Sequence, residues 1–91
     1  MKDETKPDVL KRLKKAEGQL QGVLKMVESD RYCVDVLRQM QAVRGALVSI
    51  ERLVVDDHVE TCVDHALTSG NLDDRREKVR ELADVLSGRK R

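Results

Sequence analysis

Val36-Leu37-Arg38-Gln39-Met40-Gln41-Ala42-Val43-Arg44-Gly45-Ala46-Leu47-Val48-Ser49-Ile50-Glu51-Arg52-Leu53-Val54 decides the fold. Val36, Val43 and Ile50 fall at heptad spacing, and Met40, Leu47 and Val54 make a second row at the same spacing. Two such rows form an uninterrupted seam, the pattern of helix packed on helix. The apolar positions continue through Val59, Val63, Ala66 and Leu67 to a stop at Ser69-Gly70, which predicts one long central helix over about 31–68. Upstream, Leu10, Leu13, Leu20, Leu24 and Val27 predict a first helix over about 6–28. Thr5 is its expected cap, Pro7 fits the first turn, and Asp8 complements the positive helix end. Ser29-Asp30 is expected to break that helix and cap the next. Asn71 to Asp74 supplies a cap and early acids for a third helix over about 72–87, striped by Leu72, Val79, Leu82, Ala83 and Leu86 and ended by Gly88. No strand signal, repeat or low-complexity segment interrupts this. The reading is an all-α, three-helix protomer with a long central helix, one domain across residues 1–91.

Composition bounds the function. Of 91 residues, 38% are charged, and Tyr32 is the sole aromatic. A core of Leu, Val, Ile, Met and Ala in so short a chain is often completed by oligomerisation. No apolar run is long enough for a membrane span and no signal-peptide core follows Met1, so the expected location is cytoplasmic. Two cysteines in a reducing compartment point to thiol or metal chemistry over a structural disulfide. There is no nucleophile–base–orienter set and no phosphate loop, so neither an enzyme nor a small-molecule substrate is expected.

The net charge of +1 says little about nucleic acid, but its distribution says more. Between Val9 and Ala16 lie Lys11, Arg12, Lys14 and Lys15 with no acidic residue, and the chain ends Arg89-Lys90-Arg91. A solvated helix face is the usual fate of such a run, and Asp8 and Glu17 dilute it. Repeated in an oligomer, the cluster would build a phosphate-binding surface. Arg44 and Arg52, on the outer side of the central helix, are possible additions. With no aromatic interleaving, stacking on single strands is not expected.

The residues that carry chemistry are Cys33, His58 and Cys62. On an α-helix the i, i+4 pair His58 and Cys62 share a face, roughly 6 Å apart at Cβ. Two soft sulfurs and one imidazole suit a thiophilic ion, copper(I) first and zinc second. Singly, each residue reads more simply as a small buried hydrophobe or an ordinary helix histidine. His65, three residues after Cys62, shares its side of the helix and is expected to be an exposed helix residue. Cys33 and Cys62 would be roughly 43 Å apart on one continuous helix, so a single chain cannot close the site. An antiparallel two-fold partner can. Contacting residues then have a constant index sum, about 93 here, with the axis near residue 46. Ala42, Gly45, Ala46 and Ser49 give that crossing small side chains. Two equivalent sites per dimer are expected, each with Cys33 from one protomer and His58 and Cys62 from the other.

Tyr32-Cys33-Val34-Asp35-Val36-Leu37-Arg38-Gln39 and His58-Val59-Glu60-Thr61-Cys62 resemble the copper-sensing operon repressor (CsoR) family. Arg12-Leu13 followed by Gly18-Gln19-Leu20-Gln21-Gly22 is similar to that family's first helix. The resemblance covers nearly the whole chain, and its Cys-His-Cys pattern is that of the copper branch. The nickel and cobalt branch has histidine at the last position, the formaldehyde branch lacks the second cysteine, and the persulfide branch lacks the histidine. The resemblance implies a dimer that pairs into a tetramer, and an apo repressor on double-stranded operator DNA that copper(I) releases. It implies that Arg12 is linked to DNA binding. It further implies that Tyr32 and Glu81 are the pair tying the ligand histidine to the third helix. Two alternatives stand beside this: a thiol or persulfide sensor built on Cys33 and Cys62, and a copper buffer that never touches DNA.

Overall fold

The structure, a computed structural model, describes residues 1–63, 68 and 70–88, with the side chains of Cys62 and Val63 outside that description. It divides into two compact units, Met1–Val55 and Asp56–Arg91. Among the described residues there is no strand. No helix is long and apolar enough to cross a membrane.

The first unit is a helical hairpin. Helix α1 spans Thr5–Glu28 and α2 begins at Cys33 and runs to His58. Every third and fourth position could have carried the contact, but the buried set is narrower. On α1 it is Val9, Ala16 and Val23, and on α2 Val43 and Ile50, each a heptad apart. Val9, Ala16 and Ile50 form one cluster, with Leu53 and Val54 packed against it. Pairing of early α1 with late α2 makes the helices antiparallel. The leucine stripe expected to drive α1 inward stays largely exposed: Leu10, Leu13, Leu20 and Leu24. Of the two central rows, Val43 and Ile50 face α1, while Met40 and Leu47 remain exposed. No side chain is fully buried among the described residues, so one protomer has little core of its own.

The caps differ from expectation at two places. Thr5 is the first residue of α1, and the preceding Glu4 makes no side-chain cap bond. Lys2 instead accepts from the amides of Thr5 and Lys6 through its carbonyl, satisfying two orphan donors. Ser29 caps backward rather than forward, donating its hydroxyl to the Lys25 carbonyl at 2.8 Å. The Arg31 amide bonds to Met26 O and the Asp30 amide to Val27 O, at 2.9 and 3.1 Å. That double bond is a Schellman closure, with Asp30 at φ 56° in the left-handed position that usually favours glycine. The four-residue connection to α2 is therefore a hydrogen-bonded elbow.

The second unit begins with the end of α2. The expectation of one α-helix over 31–68 is corrected in part: α2 runs from Cys33 to His58 and Val59–Val63 is a π-helical turn, while 64–67, with Ala66 and Leu67 of the expected stripe, lie outside the described residues. Such π turns are rare and favour functional sites. Helix α3 spans Leu72–Leu86 and packs against the π turn. Asn71 caps it as expected, accepting the Asp74 amide at 3.0 Å. Gly88, at φ 77°, takes the left-handed position just beyond its end.

Candidate metal and nucleic-acid sites

Cys33 opens α2 from the hydrogen-bonded elbow. Its thiol is free and exposed, beside an open concavity of about 370 Å³ shared with Val27, Asp30, Arg31, Val36 and Leu37. His58 is the last residue of α2 and half-buried. The first and last residues of a helix of 26 are separated by about 38 Å of helical rise, so the two cannot meet within α2. Accordingly, no group of three metal-capable side chains gathers among the described residues. Cys62 lies in the π turn, with its side chain outside the described set, as is His65 altogether.

Val59–Val63 forms a π turn directly after His58. Asp57 beside His58 is buried, with 5% of its surface exposed, and its carbonyl accepts the Thr61 hydroxyl at 2.9 Å. That bond pins the first turn after His58. Tyr32 stands exposed at the elbow, and Glu81 is half-buried midway along α3. Each lies in a different unit, Tyr32 in the first and Glu81 in the second.

The basic residues of α1 are all exposed, but they do not form one patch. Arg12 and Lys15 turn toward α2 and line an open cleft of about 230 Å³ with Ala16, Gln19, Ala46, Ser49 and Ile50. Lys11 and Lys14 lie further round the helix. Arg12 donates its Nε–H to Asp8 Oδ1 at 3.1 Å, an i, i+4 ion pair. Arg44 shares its stripe with exposed Leu37, seven residues before it, and Arg52 points away from α1; neither joins the α1 cluster.

Sequence reasoning missed two features. Ala46 and Ser49, expected at a close crossing between copies, also line the cleft against α1 within the protomer. On α3, Arg75, Arg76 and Arg80 share a shallow concavity with Leu72, Val79 and Ala83, and among the described residues the buried Arg75 Nε has no hydrogen-bond partner. The i, i+1, i+5 spacing of those arginines was visible, but their common surface depends on which stripe α3 leaves open.

Residues 5–88 match the family of metal-sensitive transcriptional repressors. The chain belongs to that family. Among its curated relatives, the copper-sensing transcriptional repressor CsoR of Bacillus subtilis (strain 168) is 42% identical over 80 residues, 88% of this chain and 76% of that protein. The fold agrees with the crystal structure of the copper-sensing repressor CsoR with Cu(I) from Geobacillus thermodenitrificans NG80-2, at a TM-score of 0.85 and 38% identity, covering 97% of this chain and 88% of that one. The nickel-responsive transcriptional regulator InrS is also 38% identical, with a TM-score of 0.76 over 86% of this chain and 88% of that one. Equal identity to sensors of different metals means that overall likeness does not choose the ion. Within this family the donor set has to.

Proposed function

We propose that this metal-sensitive repressor responds to copper(I), held between two copies of the chain by Cys33 of one and His58 and Cys62 of the other. The observation that supports the reading is the separation of Cys33 and His58 at opposite ends of α2, which a site shared between two copies would bridge. The donor set suits the ion. Two thiolates and an imidazole match a soft ion in three-coordination, and would leave tetrahedral zinc one ligand short. The copper-sensing names of its relatives support the same choice.

The apolar flank of the hairpin supports the dimer. Taking 100° per residue, Leu13, Leu20 and Leu24 of α1 fall on the same side of the α1–α2 contact as Met40 and Leu47 of α2. All five are exposed in the protomer, a contiguous face that water disfavours. If two such faces meet antiparallel, Leu47 packs on its own copy and Met40 on Val54, with an index sum of about 94. The same register sets Cys33 opposite the partner's turn between His58 and Cys62. Bulky leucines, rather than the small residues beside them, then make the crossing. The dimer pairs further into a tetramer, acts in the cytoplasm and has no catalytic role.

The apo protein would bind double-stranded operator DNA through the α1 cations, and copper(I) would release it. Tyr32 and Glu81 are proposed to connect the ligand histidine to α3, since a ligating imidazole normally has its second nitrogen held by an acceptor. An anaerobic copper(I) titration against a coloured chelator, with operator binding followed in parallel, tests this. Wild type takes one copper(I) per chain and releases DNA; Cys33→Ser does neither; His58→Ala keeps much of the affinity and loses the release. Equal weak competition by wild type and Cys33→Ser refutes the copper site and directs attention to sulfur chemistry at the two thiols. Tight copper binding with no operator binding would instead make the protein a buffer.

A further inference from the structure

The cleft between α1 and α2 has a composition that a general basic face would not need. Its donors are two cations, Arg12 and Lys15, and two neutral groups, Gln19 and Ser49. No carboxylate lines it. Arg12, Lys15 and Gln19 stand at i, i+3 and i+7 on one stripe of α1, and Ser49 comes from the facing turn of α2. Its apolar lining is Ala16, which is buried in the cluster with Ile50, Ile50 itself, and Ala46. At about 230 Å³ the cleft far exceeds the roughly 10–15 Å³ that a single water requires.

The donors are also available. Among the described residues, the side chains of Lys15, Gln19 and Ser49 carry no hydrogen bond or ion pair. Arg12 has one, and it uses Nε, which leaves the two terminal nitrogens of the guanidinium to act as a fork. Asp8 cancels part of the Arg12 charge, so Lys15 supplies the excess positive charge of the cleft. Such a set, a fork, an ammonium and two neutral donors arranged around a hollow, recognises a tetrahedral oxyanion. The cleft lies on the flank of the hairpin opposite Leu13, Leu20 and Leu47, so it stays open when that apolar flank is covered.

We propose that this cleft is an oxyanion site, and that its occupant on the operator is one backbone phosphate of duplex DNA. The proposal rests on the DNA-binding reading above and adds Gln19 and Ser49, from two helices, to the contact. A phosphate seated there joins α1 to α2, so any change in the spacing of the hairpin would alter the grip.

The two neutral donors make the test. Ser49→Ala and Gln19→Met preserve net charge and side-chain bulk nearly enough to keep the helices, which circular dichroism verifies. Inorganic phosphate is titrated into the metal-free full-length protein at constant ionic strength, with chloride as the exchanged anion, and followed by amide NMR. Operator binding is followed by fluorescence anisotropy across salt concentrations. Expected are saturable shifts around Gln19 and Ser49, phosphate affinity about five-fold weaker in each variant, and operator affinity about three- to five-fold weaker with an unchanged salt slope. Lys15→Gln, by contrast, lowers that slope by about one for each copy of the cleft that contacts the DNA. Phosphate that shifts nothing at the cleft, with both variants holding operator as wild type does, overturns the site. Phosphate binding that the variants weaken while operator binding is untouched overturns the DNA occupant and leaves a free-anion site. Should wild type bind no duplex DNA at all, the repressor reading itself fails, and the phosphate titration still decides the cleft.

Discussion

Replacing Leu47 by alanine should loosen the dimer about 30-fold. Leu47 retains 44% of its surface exposed in the protomer. Leu→Ala removes the equivalent of three carbon groups, worth ~0.8 kcal/mol each when fully buried, or ~2.4 kcal/mol. The 44% still open in the protomer is the part the partner covers, so each chain loses ~1 kcal/mol and the dimer ~2 kcal/mol. At ~1.4 kcal/mol per tenfold, the dissociation constant rises by about one and a half decades. Sedimentation equilibrium of the metal-free protein over a range of concentrations reads this directly. Ala46→Leu is the companion, because Ala46 lies on the cleft flank. If the leucine face makes the contact, Ala46→Leu leaves dimerisation unchanged. The reasoning is refuted if Leu47→Ala dimerises like wild type while Ala46→Leu falls apart, for then the small-residue row makes the crossing.

Gly45→Ala should stabilise the protein by up to ~1 kcal/mol, since alanine is the better helix former and a Cβ there meets nothing within 4 Å; a lower melting temperature would mean that a second copy approaches that glycine closely. Asn71→Ala should remove about 1 kcal/mol by leaving the Asp74 amide without its acceptor, seen as a melting temperature lower by ~4–8 °C; an unchanged melting curve would show that the cap contributes nothing. Asp8→Asn frees Arg12 and should tighten operator binding about two- to five-fold at low salt, with the gain shrinking as salt rises; weaker binding would mean that Asp8 holds Arg12 in its working position.

Much of the fold was legible because it rests on periodicity. The heptad rows of the central helix, the Asn71 cap and the Gly88 stop each depend on local chemistry that sequence displays. What sequence concealed was direction. Ser29 can donate back to a helix it ends or accept from one it begins, and only the backbone path, with Asp30 left-handed, selects the former. The π turn was hidden for a similar reason. A four-residue spacing from His58 to Cys62 reads the same in either helix, and the change is one of hydrogen-bond partner, not of composition. The small residues near the middle of α2 fit a close crossing and a cleft equally well. Only the exposed leucines on the other flank separate the two uses. For the site, residue types and their separation along the chain indicated which donors to consider. That the proposed site would need a second copy follows from helix length alone.

The elbow between α1 and α2 also has a mechanical meaning. Its amides are tied back to the end of α1, and the Asp35 and Val36 amides close on the Tyr32 carbonyl at 3.0 and 3.1 Å. It therefore behaves as a stiff pivot rather than a slack tether. Arg12 lies 16 residues from the end of α1, a lever arm of ~24 Å measured from the corner where Cys33 sits. On an arm that long, a tilt of only ~2° at the pivot would displace the Arg12 backbone by nearly 1 Å, enough to break a hydrogen bond made at that point of the helix.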